Sequence, residues 1–315
     1  FTVTVVYNPP DAPTSASGSF TITDGANGGD CTNIGTWDAG SKTCTVTATI
    51  TGNIIIGSDG ITLDGNGKTF TGIKQNYQWQ GTNYSGNALL VLDKSNVTIK
   101  NFQFTKSWAG DGFVIRESSN VMVSGNTFTS TGNSSGGLQV GENSSNVQVT
   151  NNNFTFGESA LGVYKPGTGV SVTGNTFTGG SYNEIFQIRS IYPVTVSGNT
   201  FNNIAAGERG LALYCEQDTC PSQDGHSITN NSFNGNGKGI FFYNSGSNTV
   251  SGNSFSNLDH AIDFGTCCGG VLNDSNYFSG NTFSGNSYDY YPSQPSTPSD
   301  DTIPPTVTVP TNWTN

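Results

Sequence analysis

The sequence has 315 residues and a net charge of −11, with 10% charged and 11% aromatic residues. So few charges combined with so many aromatic residues argue against a disordered chain. No Lys/Arg cluster points to nucleic acid, and no apolar run reaches the roughly 20 residues of a membrane span. The chain starts at Phe1 without a visible signal peptide, so we expect a mature or excised product.

The first 52 residues are predicted to precede the main domain. Residues 1–24 combine a short alternating strand, FTVTVVY, with the Pro-rich linker NPPDAPT. Residues 25–52 are predicted to form a capping region, because Cys31 and Cys44 flank a loop rich in Gly and Asp.

The six cysteines fall in close pairs, which predicts loop-closing disulfides and an oxidising compartment. Cys31 is expected to pair with Cys44, and Cys215 with Cys220 across a short acidic loop. The partners of Cys267 and Cys268 stay open. Metal binding is the alternative, but the chain has no C-x-x-C motif and only two histidines.

N-x-S/T sequons agree with export from the cell and predict glycosylation. The eight sequons begin at Asn83, Asn96, Asn133, Asn143, Asn153, Asn230, Asn273 and Asn312.

Residues 53–290 repeat one short pattern, which the stretch VTVSGNTF represents. Most copies are spaced 22 to 26 residues apart, which indicates a solenoid. The repeated Asn occurs at Asn126, Asn152, Asn175, Asn199, Asn231, Asn253 and Asn281, and a Phe follows each of them two residues later.

A second alternating run precedes each copy, as in FVIRE, LGVYK, FQIRS and LALYC. Alternation every second residue predicts strands with one buried face, and no segment has a convincing helical pattern. We therefore predict an all-β solenoid of about 8–10 coils with strand-like tails at both ends. In such a stack the Phe residues form an internal column, and the Asn residues form a structural ladder.

These repeats, together with GITLDGNGKTFTG at residues 60–72, resemble the right-handed parallel β-helix families of the pectate-lyase-like superfamily. The resemblance covers about residues 50–290 and implies the fold, but not one particular chemistry. Residues 291–315 hold a second Pro-rich linker and a strand, PPTVTVP. With FTVTV at the start, this strand resembles the edges of immunoglobulin-like modules of the hyalin-repeat type.

One outward column of the second run is rich in Arg and Tyr, which suits either a sugar chain or a subunit contact. Plain surface packing is the third interpretation of this column. Its candidate ligand or interface residues are Arg116, Tyr164, Arg189, Tyr214 and Tyr243.

Four residues faintly resemble the Asn/Glu/Arg coil of alginate-type lyases: Glu184, Arg189, Glu208 and Arg209. Further basic residues expected on the following coils are missing from the aligned column. An alternative acid–base group is His260 with Asp259 and Asp263. No cofactor is required, although Ca²⁺ is the ion that the oxygen atoms of residues 216–218 and 299–301 would hold.

The leading hypothesis is a secreted structural protein. It would be either a subunit of an extracellular filament, joined through its terminal strands to further copies, or a stalk module of a cell-surface protein. The alternative is a β-helix that binds or cleaves polysaccharide. The structural hypothesis makes an enzyme the less favoured interpretation.

Overall fold

The computed structural model describes residues 14–73, 76–79, 82–85, 88–106, 112–130, 136–155, 159–179, 184–214, 222–265 and 276–291. Within these ranges the secondary structure consists of β-strands and one four-residue helix, Cys31–Ile34. Nearly all strands pair in parallel with the strand one coil before and one coil after. The predicted all-β, right-handed parallel β-helix is confirmed.

Each coil contributes one strand to each of three faces. The first face is a sheet that carries the VxV runs, because these alternate buried Val or Ile with polar residues. Its parallel strands are Thr43–Val46, Thr62–Asp64, Ser95–Lys100, Ser119–Ser124, Gln148–Thr150, Val170–Thr173, Val194–Ser197, Ser227–Thr229, Thr249–Ser251 and Tyr277–Ser279.

The second face carries the repeated Phe, and the third face carries the second alternating run. The strands of the second face are Thr69–Gly72, Gln103–Lys106, Thr127–Ser130, Asn153–Thr155, Thr176–Thr178, Thr200–Ile204, Ser232–Gly235, Ser254–Ser256 and Thr282–Ser284. Those of the third face are Leu89–Leu92, Phe113–Arg116, Leu138–Val140, Leu161–Tyr164, Glu184–Arg189, Arg209–Tyr214, Lys238–Tyr243, His260–Gly265 and Tyr288–Tyr291.

The second and third faces start from one shared strand, Thr49–Ile56. Its first half pairs with Thr69–Gly72 and its second half with Leu89–Leu92. The strand Ser15–Ile22 pairs with it in parallel along all eight residues. The main sheet thus includes residues from all of the first three sequence segments, whose boundaries stay predictions.

A disulfide-linked cap precedes the first parallel strands of the first face. The helix leads into the strand Gly35–Asp38, which pairs antiparallel with Thr43–Val46. Cys31 and Cys44 are buried and form a disulfide with an S–S distance of 2.07 Å. The remaining strands form two small pairs: Asn76–Trp79 with Thr82–Ser85, and Ser222–Gln223 with Ser245–Gly246.

The repeated Phe residues form a continuous stack inside the second face. Neighbouring ring centroids are 4.6–5.2 Å apart, and the ring planes are nearly parallel. The stack consists of Phe104, Phe128, Phe154, Phe177, Phe201, Phe233, Phe255 and Phe283.

The repeated Asn residues form the expected buried ladder at the corner between the first and second faces. Asn175 shows the pattern: its Oδ1 accepts from the main-chain N–H of Asn152 at 2.8 Å, and its Nδ2 donates to the Val149 carbonyl at 2.8 Å and to Asn199 Oδ1 at 3.0 Å. The residue before each ladder Asn has a positive φ, for example 66° at Gly174, which explains the recurring Gly-Asn pair.

Candidate functional site

The strand register of the third face places its outward side chains in three straight columns. Within a column, residues on successive coils are about 4.8 Å apart. We call them together the Arg/Tyr face. One edge column contains Glu184, Arg209, Lys238, His260 and Tyr288. The central column contains Gln139, Gly162, Gln187, Ala212, Phe241, Asp263 and Tyr291, and the other edge column contains Arg116, Gly141, Tyr164, Arg189, Tyr214, Tyr243 and Gly265.

The Arg/Tyr face concentrates positive charge on an acidic molecule. The sequence contains three arginines, and all of them lie in these columns. The columns hold four cationic residues and two carboxylates, a net charge of +2, whereas the whole chain carries −11. A local field of this sign would attract an anionic ligand and repel a cationic one.

At the N-terminal end of the face, small residues make room for long neighbours. Arg116 lies against Gly141 and donates from Nη2 to Gln139 Oε1 at 2.9 Å. Its Nη1 is 3.6 Å from the Glu142 carboxylate.

The ring of Tyr164 lies over Gly162, two positions earlier in the same strand. A Cβ at Gly162 would lie 2.2 Å from that ring, so a larger residue there would displace the ring from its present position. The Tyr164 hydroxyl donates to Gln187 Oε1 at 2.7 Å, which joins two successive coils.

In the middle of the face, Glu184 accepts hydrogen bonds from Arg209 and from the Tyr214 hydroxyl. Arg209 Nη1 also lies 3.2 Å from the Tyr214 oxygen. Burial, reinforced by the hydrogen bond to Glu184, raises the pKa of Tyr214 well above its usual value. The phenol therefore stays protonated and serves as a donor that fixes the carboxylate.

Aromatic rings and guanidinium groups alternate around this centre. The Arg189 guanidinium lies 4.8 Å from the centroid of the Tyr214 ring, and that of Arg209 lies 4.0 Å from the Phe241 ring. The rings of Tyr214 and Tyr243 are 5.5 Å apart. Such stacking holds both the cations and the rings in fixed positions.

At the C-terminal end, Lys238 forms an ion pair with the buried carboxylate of Asp263. His260 Nδ1 is 3.5 Å from the same carboxylate, and its Nε2 is 3.6 Å from that of Asp259. The imidazole stacks on Tyr291 with ring centroids 4.1 Å apart. The candidate acid–base group is thus brought together, although Lys238 shares its central carboxylate.

The four residues of the lyase-like set separate into two environments. Glu184 and Arg209 are in contact, and Arg189 lies one coil from Arg209 on the same face. Glu208 is 2% exposed, and its carboxylate accepts from the main-chain N–H of Ala205 at 2.9 Å, so it stabilises a turn and is away from the face.

The sequence interpretation overlooked Lys238. It holds the position that follows Arg209 in the same edge column. The column of Arg189 continues with Tyr214 and Tyr243, as the sequence alignment gave it, so the following basic residue lies in the other edge column. Strict alternation would turn Lys238 inward, together with Ile240 and Phe242. The buried Gly239 interrupts that alternation, so Lys238 lies on the outer face although it is two residues before the inward-facing Ile240. A search for every second residue in the sequence therefore does not reveal this column.

Several predicted sites fall outside the described residues: the cysteines at 215, 220, 267 and 268, the oxygen-rich segments 216–218 and 299–301, and the sequons at 133, 273 and 312. The backbone of Asn83 lies in a strand, Thr82–Ser85. The other four sequons have exposed asparagines: Asn96, Asn143, Asn153 and Asn230. Their glycosylation stays a prediction.

Two family models match the chain. The right-handed β-helix region matches residues 37–201, which is 165 of the 315 residues, and the periplasmic copper-binding protein NosD matches residues 163–299. In the described ranges no three His, Cys, Asp or Glu side chains are placed to hold a metal ion. The two carboxylates beside His260 approach different ring nitrogens, so these residues do not fit a copper site.

Solved structures with a similar fold come from several kinds of protein. PfbA, a surface adhesin of Streptococcus pneumoniae, has a TM-score of 0.52 at 14% identity over 79% of each chain. The tailspike of E. coli bacteriophage HK620, solved with a hexasaccharide, has a TM-score of 0.47 at 18% identity over 85% of this chain and 50% of its own. The A-module of the Azotobacter vinelandii mannuronan C-5 epimerase AlgE4 has a TM-score of 0.34 at 12% identity, over 90% of this chain and 88% of its own.

Among curated proteins, no sequence matches this chain. In the part of the chain that the structure describes, no helix has the length and apolar character to span a membrane. The family match covers more than half of the sequence, and the parallel three-faced coil agrees with it. The chain belongs to the right-handed β-helix family.

Proposed function

We propose that this protein binds an extended carbohydrate chain along the Arg/Tyr face, outside the cell or at its surface. The observation that carries the proposal is the clustering of all three arginines with five tyrosines on one face of the solenoid. Sugar rings stack on aromatic faces, and guanidinium groups donate several hydrogen bonds in a fixed geometry.

The long axis of the solenoid is the expected direction of the ligand. Tyr164, Tyr214 and Tyr243 lie on different coils of one column, so a chain crossing the coils would meet them in succession. The distance from the first to the last of these coils is about 14 Å, which several linked sugars can span. A chain running along one strand would meet only one of these rings.

An extracellular setting is part of the proposal. The buried Cys31–Cys44 disulfide favours an oxidising compartment. A surface adhesin with a similar fold is consistent with this setting, although the fold alone does not carry the function.

Binding can be tested by affinity electrophoresis through gels that contain one soluble polysaccharide each: polygalacturonate, alginate, xylan, galactomannan or dextran. We expect retardation in at least one gel, and a Tyr243→Ala variant should bind about tenfold more weakly. The matched control is Tyr277→Ala, because Tyr277 is 50% exposed on the first face. Absence of retardation in all gels, or equal losses in both variants, would refute the proposal.

The filament hypothesis depends on residues 1–13 and 292–315, which lie outside the described residues. It stays a prediction beside the proposed binding function, and so does the stalk module. A stiff stack of hydrogen-bonded coils is compatible with either role, since each coil is paired with both of its neighbours.

A further inference from the structure

Arg189 differs from the other cations of the Arg/Tyr face in its charge balance. Arg116 lies beside Glu142, Arg209 beside Glu184, and Lys238 beside Asp263. Among the described residues, no carboxylate pairs with Arg189. Its side chain is also exposed, whereas those of the other three are 19–27% exposed.

The guanidinium of Arg189 is held in place even without an acidic partner. It lies over the ring of Tyr214, and that ring is fixed in turn by the bond from its hydroxyl to Glu184. Stacking of this kind leaves the N–H edge of the planar group directed away from the ring and available to a ligand. The cation is therefore already positioned before a ligand arrives.

We infer that Arg189 binds the carboxylate of an acidic sugar, and that the ligand of this face is an anionic polysaccharide. The inference rests on the proposed carbohydrate binding and adds its charge class and its anchor residue. A planar carboxylate matches the fork of an arginine in two parallel hydrogen bonds. The sugar ring attached to it would lie beside the rings of Tyr214 and Tyr243, which are 5.5 Å apart.

The net charge of −11 opposes the approach of such a polymer, but the local charge decides contact at short range. At physiological salt, exposed charges further away than about 8 Å are largely screened. On the next coil of the face, the charge of Arg209 is balanced by Glu184. Arg189 therefore supplies the excess positive charge of this region.

The test uses two polymers with the same sugar backbone: polygalacturonate, which is anionic, and its fully methyl-esterified form, which is neutral. We expect the protein to bind the acidic polymer at least tenfold more tightly, with an affinity that falls as NaCl is raised. An Arg189→Gln variant should lose about ten- to a hundredfold in affinity for the acidic polymer and bind the ester as before. Arg189→Lys, which keeps the charge without the fork, should fall between the two.

The charge-matched control is Lys94→Gln, because Lys94 lies outside the three columns, between the strands Leu89–Leu92 and Ser95–Lys100, and its substitution removes the same unit of charge. If the wild-type protein binds both polymers equally, or if Arg189→Gln keeps its preference for the acid, the inference is overturned while carbohydrate binding stands. Binding of neither polymer, but of dextran or galactomannan, would equally reject the acidic ligand. Circular dichroism of each variant separates these outcomes from misfolding.

Discussion

At the scale of single residues, the corners of the coil are the most demanding positions. His226 is fully buried at one of them, where its Nδ1 accepts from the Val194 N–H at 3.1 Å. The main-chain N–H of His226 donates to Asn248 Oδ1, and the main-chain N–H of Asn248 donates in the same way to Asn276 Oδ1. The histidine thus occupies a position that asparagine fills in the next two coils.

Burial lowers the pKa of His226 from 6.5 to about 3. Below pH 6.5 the unfolded chain takes up a proton that the folded imidazole does not, so the free energy of unfolding falls as the pH falls towards 3. The limiting slope is about 1.4 kcal/mol for each pH unit.

We expect His226→Asn to remove this share of the acid sensitivity, because an asparagine Oδ1 can accept from Val194 as in the neighbouring coils. Urea unfolding at pH 7, 5 and 4 would measure it, with His260→Asn, at the second of the two histidines, as the matched control. Equal pH dependence in the wild type and in His226→Asn would show that the histidine is protonated in the fold.

The sequence predicted the roles of individual residues best where a residue repeats. The Asn ladder and the Phe stack followed from the copies of GNTF, because identical positions must lie above one another once the coils stack. Lys238 was missed and Glu208 was placed too close to the face, since each lies next to an irregular strand start. Contacts between columns, such as Glu184 with Tyr214, depend on side-chain directions that the repeat does not encode.

At the scale of the element, each strand depends on its neighbours above and below. Phe177 is fully buried between Phe154 and Phe201, at 4.9 and 4.8 Å. Removing its ring leaves a cavity that the close backbone spacing of the coils cannot close.

Phe177→Ala should therefore lower the free energy of unfolding by about 3–5 kcal/mol. Guanidinium chloride denaturation followed by circular dichroism would measure the change, and Tyr277→Ala, which deletes an exposed ring, should cost much less. A small effect at Phe177 would mean that the coils slide together and that the stack is not rigid.

At the scale of the whole molecule, the described coils form one hydrogen-bonded stack without a break between consecutive strands of each face. Stability in such a solenoid is nearly a sum over neighbouring coils. The fold class was predictable from the sequence for this reason, because a single repeated contact specifies the entire stack. The behaviour of the two ends does not follow from that repeat.

The filament hypothesis predicts that material containing both ends assembles. Electron microscopy of the full chain should show filaments, and a variant lacking residues 1–12 and 302–315 should give single particles, since strand addition needs both partners. Single particles from both forms would contradict assembly through the terminal strands, and polysaccharide binding by the truncated form would remain measurable.

The corner between the first and second faces contains two residues in all coils but one, as between Ser197 and Thr200, and the exception is the four-residue corner between Asp64 and Thr69. The connections on either side of the third face differ widely, from two residues between Arg116 and Ser119 to sixteen between Gly72 and Leu89. Length can therefore change next to the Arg/Tyr face while the other corner keeps the coils in register. A lineage of such proteins can diversify its ligands by insertion and deletion alone, with the scaffold left unchanged.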